Sequence, residues 1–269
     1  MNTNKAILLI IDGQNDFCDP TGSLYVNGAE KDMDRLSKMV NDNQKQIVNI
    51  YATLDSHQVN AIFHPSWWID SNGIPPSPFT IISANDVDTG KWRAKNPSLQ
   101  KWSSEYVHKL ELDGKYALCI WMEHTLIGSW GACVYKQLSD ALYSWERNRG
   151  KKVNYQSKGS NPYTESYSAL KAEVEFSGDP TTMLNTQFID ALKTGMDILV
   201  GGEAYTHCVY STLKDIIEEF SDEQVKQIVI LEDCTSPVVA PGLEHLKGEV
   251  DAYFKSHGVR FSTSTTYFA

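Results

Sequence analysis

Apolar residues in this chain come in short unbroken runs rather than in alternation. Ala6 to Ile11, Ile47 to Thr53, Tyr116 to Trp121, Ile198 to Gly201 and Ile228 to Leu231 are largely apolar on both faces. Runs of this kind suit parallel strands covered on both sides. Lys152 to Gln156 is a weaker sixth candidate, and Val259 to Ser262 would add an edge. Between the runs the period changes. Met33, Leu36, Met39 and Val40 share one helical face, as do Val209, Leu213, Ile216, Ile217 and Phe220. Leu138, Leu142 and Trp145 mark a third helix, and Phe188 to Leu192 a fourth. This alternation predicts an α/β fold, doubly wound and Rossmann-like. Its mostly parallel sheet would have about six strands, with helices on both faces.

One stretch breaks the rhythm. Pro65 to Lys115 carries Pro75, Pro76, Pro78, Pro97, Trp67, Trp68, Trp92 and Trp102. It is too long for an ordinary connection, and too aromatic to dangle. It is expected to be an ordered insertion, at about 65–115, within one domain spanning residues 1–269.

Composition narrows the partners. A hydrophobic share of 41% with 22% charged residues is globular. The net charge of -10 argues against nucleic acid, whose binding needs cations, and against an anionic membrane surface. No apolar run approaches a membrane span, and the first residues do not read as a signal peptide. Five cysteines (Cys18, Cys119, Cys133, Cys208 and Cys234) are scattered without a CxxC pair, which suits reduced thiols in a cytoplasmic protein.

The chemistry gathers just past the apolar runs, where open parallel sheets bind ligands. Asp12 follows the first run, Asp55 and His57 the second, and Glu123 and His124 the third. Lys158 follows the weaker strand, and Cys208 lies beyond Ile198 to Gly201. Taken singly, each has a bland explanation. Asp12 suits a turn cap, Lys158 a solvated surface, and Cys208 a small buried apolar site. Taken together they supply a base, a cation and a nucleophile. A thiol in the first turn of a helix, near an ammonium, is expected to favour its thiolate, and Asp12 would accept its proton. Asp55 and His57 share a face of an extended strand end. With His124 they suit a divalent ion of the zinc, iron or manganese class. The alternative is a hydrogen-bonded Asp–His pair beside an unrelated histidine. His207 adjoins the thiol, but helix neighbours do not face each other, so it receives no role.

Several strings in order resemble the cysteine-hydrolase superfamily of nicotinamidases and isochorismatases. They are Asp12-Gly-Gln-Asn-Asp-Phe-Cys-Asp-Pro-Thr-Gly-Ser-Leu24, Thr53-Leu-Asp-Ser-His57, Trp121-Met-Glu-His124, Lys158-Gly159 through Glu165-Ser-Tyr-Ser168, and Gly202-Glu-Ala-Tyr-Thr-His-Cys-Val209. The resemblance covers roughly residues 6 to 233 and implies a triad of Asp12, Lys158 and Cys208. It also implies a cis bond between Glu203 and Ala204, and an oxyanion hole from the amides of Ala204 and Cys208. Asp55, His57 and His124 match the metal ligands of the nicotinamidases, with zinc the first choice. The resemblance further implies a homo-oligomer acting on a small-molecule amide. Two departures stand out: Thr125 occupies a position where nicotinamidases typically have cysteine, and the long insertion follows His57. Phe17, Trp67, Trp68 and Tyr163 are candidates to sandwich a flat substrate, with ordinary packing the alternative.

Three functions remain open on this reading. The first is hydrolysis of a small carboxamide, nicotinamide foremost, through a thioester. The second uses the same triad on an isochorismate-like ether or an N-carbamoyl amide. The third is a non-enzymatic thiol redox or binding module.

Overall fold

A computed structural model describes residues 5–239 and 245–269. Six strands build one parallel sheet: β1 (Ala6–Ile11), β2 (Ile47–Asp55), β3 (Asn154–Lys158), β4 (Asp197–Gly202), β5 (Ile228–Leu231) and β6 (Arg260–Ser262). Their order across the sheet is β6-β5-β4-β1-β2-β3. The chain therefore reverses its direction of travel between β1 and β4, the switch point at which doubly wound sheets open a ligand crevice.

Both faces of the central strands are covered, which explains their unbroken apolar character. Ile7, Leu9 and Ile11 of β1 face one cluster, joined by Ile198, Val200, Leu213 and Ile216. Ala6, Leu8 and Ile10 face another, with Met33, Leu36 and Val40 of helix α1 (Ala29–Asp42). The 65–115 segment holds helix α2 (Gln100–Leu112), a capped turn at Ala84–Asp88 and short strand pairs. Its Trp67, Trp68, Tyr106, Val107 and Leu110 are buried in the first cluster. The other predicted helices form at α3 (Lys136–Arg149), α4 (Thr186–Leu192) and α5 (Tyr210–Glu219), and a further one, α6 (Leu246–Ser256), precedes β6. No helix of the described residues is long and apolar enough to cross a membrane.

The expected strand at Tyr116–Trp121 does not join the main sheet. Only Leu118–Cys119 is extended, and it pairs antiparallel with Ile81–Ile82. Its backbone is claimed by neighbouring loops: Ile120 N donates to Thr80 O at 2.9 Å and Trp121 N to Phe63 O at 2.8 Å. Leu118, Ile120 and Trp121 are buried there, whereas Tyr116 and Cys119 are half-buried and Ala117 is exposed. The weaker Lys152–Gln156 candidate is the true edge strand β3.

Close contact at the switch point demands glycine. Gly202 pairs with Ile11 and sits at φ +115°, and a Cβ there would lie 2.0 Å from the Ile11 carbonyl oxygen. This brings the ends of β1 and β4 together, and with them the residues that follow each strand.

Candidate functional site

Three strand ends deliver a single charged knot. Asp12 leaves β1 at φ 43° and is fully buried. Its amide donates to Thr53 Oγ1 at 3.0 Å, and that hydroxyl donates back to Asp12 Oδ1 at 2.5 Å. The other oxygen, Oδ2, takes no hydrogen bond and faces Lys158 Nζ at 3.0 Å. Lys158 ends β3, with only 7% of its surface exposed. Its ammonium also donates to Asp55 Oδ1 and to Ser166 O, each at 2.8 Å, and lies 3.6 Å from Cys208 Sγ. One cation thus touches both carboxylates and the thiol.

The charges follow from that arrangement. Burial opposes the Lys158 charge, but Asp12 and Asp55 hold its ammonium well above the ordinary lysine range. Burial and the neighbouring Asp55 charge raise the Asp12 carboxyl, against the pull of Lys158 and Thr53. Asp55 goes the other way. Burial opposes its charge, yet His57, Lys158 and a hydrogen bond from His124 keep it well below the carboxylate range. Cys208 departs from the expected thiolate: burial pushes its thiol well up, Lys158 pulls down, and Asp12, Asp55 and Glu165 push up again. Burial thus favours the thiol over the thiolate, and the proton affinity of the Asp12 carboxylate in the same knot is raised as well. Such a pair suits proton transfer on demand rather than a standing anion.

The Asp–His–His set also converges. Ligand atoms of Asp55, His57 and His124 lie within 4.8 Å of one another, all buried. The turn carrying His124 reaches this point without a sheet strand, because His57 N donates to Thr125 O and Ile127 N to His57 O. Each imidazole commits Nδ1 to a backbone carbonyl: His57 to Gly159 O at 3.0 Å and His124 to Met122 O at 2.7 Å. In the neutral rings, both Nε2 lone pairs then face Asp55 Oδ2, at 2.8 and 3.6 Å. Acceptors pointed at acceptors require a shared cation or an added proton. Gly159 leaves room for this meeting, since a Cβ there would stand 2.5 Å from His57 Cε1 and 2.9 Å from Asp55 Oδ1.

His64 was passed over in the sequence and belongs to this neighbourhood. Its ring centroid lies 5.6 Å from that of His124 and 5.8 Å from that of His57. Nδ1 approaches the carbonyls of Gln58 and Val59, and Nε2 is buried without a partner. Burial and the two neighbouring histidines push it down to about 3, so it stays neutral.

A cavity of about 40 Å³ opens beside the thiol. Phe17, Leu24, Val26, Trp121, Tyr167 and Val238 give it apolar walls, with Asp55, His124, Glu165, Ala204, His207 and Cys208 completing them. Of the four aromatics proposed as a sandwich, Phe17 alone lies here. Trp67 donates to Ser103 Oγ, Trp68 to Ile62 O, and Tyr163 stacks on Phe176 at 4.7 Å, so these three serve the core around the insertion. Trp121 and Tyr167 stand in their place, joined by a 3.0 Å hydrogen bond from the indole nitrogen to the phenol oxygen. Both fall inside strings already singled out, Trp121-Met-Glu-His124 and Glu165-Ser-Tyr-Ser168. Burial raises the Glu165 carboxyl to about 7.

Cys208 sits in a π-helical turn, Tyr205–Val209, that runs into α5. The peptide between Glu203 and Ala204 is cis. The Ala204 amide donates to no group among the described residues, and Ala204 lines the cavity.

Solved structures share this architecture. An Acinetobacter baumanii nicotinamidase/pyrazinamidase matches 97% of this chain over 97% of its own, at 20% identity and a TM-score of 0.65. The yeast nicotinamidase bound to the inhibitor nicotinaldehyde matches 96% of this chain over 99% of its own, at 18% identity and a TM-score of 0.67. The fold is that of the nicotinamidases. A Pyrococcus horikoshii pyrazinamidase in complex with zinc has it too, with 17% identity, the same two coverages and a TM-score of 0.55. No protein-family model matches the chain, and no curated protein matches it in sequence. The likeness is one of fold, at 17–20% identity over nearly the whole chain.

Acid should loosen the site first. Burial lowers His207 from 6.5 to about 4. Between those values the unfolded chain binds a proton that the folded chain refuses, so stability falls as pH drops from about 6.5 to about 4 and levels off below. The loss is on the order of 3 kcal/mol for this residue. Thermal unfolding followed across that range should show a shallower pH dependence in His207→Leu than in the parent protein.

Proposed function

We propose that this chain is an amidohydrolase of small carboxamides, with nicotinamide the first candidate and a thioester on Cys208 the intermediate. The contact of Lys158 Nζ with Cys208 Sγ, Asp12 Oδ2 and Asp55 Oδ1 carries this reading. A redox sensor needs no proton-accepting carboxylate. The shared fold with nicotinamidases supports the same reading.

The chemistry runs through this chain's own residues. Asp12 takes the Cys208 proton as Sγ attacks the carbonyl carbon, and the ammonium of Lys158 steadies the charge passing between them. The carbonyl oxygen, now negative, takes hydrogen bonds from the amides of Ala204 and Cys208. Asp12 then gives the proton to the amide nitrogen, the C–N bond breaks, and ammonia leaves. Water attacks the thioester with Asp12 again the base. The carboxylic acid departs, and Cys208 recovers its proton from Asp12. Asp55, His57 and His124 fit a divalent ion, zinc before iron or manganese. When bound, that ion supplies a Lewis-acid centre beside the cavity.

Cavity size favours a second substrate class. About 40 Å³ falls short of the roughly 150 Å³ that holds a benzene ring. A pyridine carboxamide therefore enters only if the walls part, whereas a short aliphatic or N-carbamoyl amide needs less movement. Ammonia release from a panel of both kinds, with and without a strong chelator, tests the proposal. Release that falls at least about tenfold on chelation is the expected result. No release from any amide would sink it.

A further inference from the structure

We propose that Glu203 is a positioning residue which, with Ser236 and Asp32, fixes where the Ala204 amide points. The inference rests on the amidohydrolase reading, in which that amide binds the carbonyl oxygen of the substrate.

Ser236 clamps both sides of Ala204. Its amide donates to Glu203 Oε2 at 3.1 Å, and its carbonyl accepts from the Tyr205 amide at 2.9 Å. Just upstream, Gly202 N donates to Cys234 O and Glu203 N to Ile11 O, each at 2.8 Å. The chain on either side is therefore held, while Ala204 itself lines the cavity. Ser236 is tied in turn to helix α1. Its hydroxyl donates to Asp32 Oδ2 at 2.5 Å, and Arg35 engages the other Asp32 oxygen and the Asp233 carbonyl.

The side chain that closes this clamp is unusual for its surroundings. Glu203 is fully buried, and its Oε1 has no hydrogen-bond partner among the described residues. A carboxylate there would keep one hydrogen bond, beside a second buried acid whose arginine is already engaged. Burial and then the Asp32 charge raise the Glu203 carboxyl well above its usual range, with Arg35 opposing. A proton on Glu203 removes the charge and makes Oε1 a donor, with Asp32 as the acceptor. The position therefore uses a neutral side chain that both accepts and donates. Glutamine copies that pattern, and methionine, of similar length, does not.

Glu203→Met and Glu203→Gln, compared with the wild type in carboxamide hydrolysis, test the assignment. Glu203→Met should lower kcat by about 10- to 100-fold and move KM less than about threefold, because the oxyanion exists only after attack. Glu203→Gln should rescue kcat to within about threefold of the wild type. An aldehyde analogue of the substrate gives a second readout. The Cys208 thiol adds across its carbonyl, sulfur to carbon and proton to oxygen, and that oxygen meets the Ala204 amide. Its affinity should fall in Glu203→Met by the same factor as kcat. Where Glu203→Met does not fold, Ser236→Ala, which cuts only the tie to Asp32, should lower kcat at least about threefold with KM held. Wild-type kcat in a folded Glu203→Met or Ser236→Ala overturns the assignment alone, as does a loss carried by KM, or Glu203→Gln as impaired as Glu203→Met. A wild type that hydrolyses no amide overturns the amidohydrolase reading and this inference with it.

Discussion

Cys208→Ala is expected to lower amide turnover by at least about 10⁴-fold while leaving the unfolding temperature and metal content unchanged. Alanine removes one sulfur from a residue already buried at the head of α5, and the neighbouring Val209, Leu213 and Ile216 hold that turn without it. Asp55, His57 and His124 are untouched. Loss of the thiol also relieves Lys158 of one partner but leaves its two carboxylates and the Ser166 carbonyl. Single-turnover trapping should agree: wild type quenched in acid carries an acyl group by mass spectrometry, and the variant does not. A variant that still releases ammonia at a tenth of the wild-type rate would remove Cys208 from the chemistry.

Lys158→Met is expected to damage stability as well as activity. The side chains have similar length, so the loss is mainly electrostatic. Asp12 and Asp55 are both buried, and Lys158 is the ammonium between them. Stripping one partner from a buried ionic group costs about 3–5 kcal/mol, which lowers the unfolding temperature by on the order of 10 °C for a chain of this size. Adding Asp55→Asn to Lys158→Met should recover part of that loss, because one uncompensated charge is gone. Asp55→Asn alone should destabilise, so the two changes are non-additive. Equal losses from the single and double variants would mean that the knot is not electrostatically coupled. Activity should be lost in all three.

How far the sequence reveals this site depends on what each residue type implies. Asp12, Asp55, Lys158 and Cys208 were visible because each follows a strand, and strand ends of a parallel sheet meet at one rim. Trp67, Trp68 and Tyr163 were credible ring partners by type alone. An aromatic side chain packs as readily into the core as into a cavity, and only the fold of the 65–115 segment decides between them. His207 was dismissed on α-helical spacing. The turn at Tyr205–Val209 is π-helical, and His207 and Cys208 both border the cavity. The Tyr116–Trp121 run misled for a related reason: an apolar run does not report its partner, and this one pairs with the insertion while Ala117 stays exposed.

By itself the sequence determined the α/β alternation, the edge of the sheet where chemistry collects, and the residue types offered there, because these follow from local periodicity and chain order. Tertiary structure alone decided that burial opposes the thiolate, that His57 and His124 meet at one carboxylate, and which rings wall the cavity. Those outcomes depend on desolvation and on distances of a few ångströms between segments far apart in the chain. Local pattern carries no information about either.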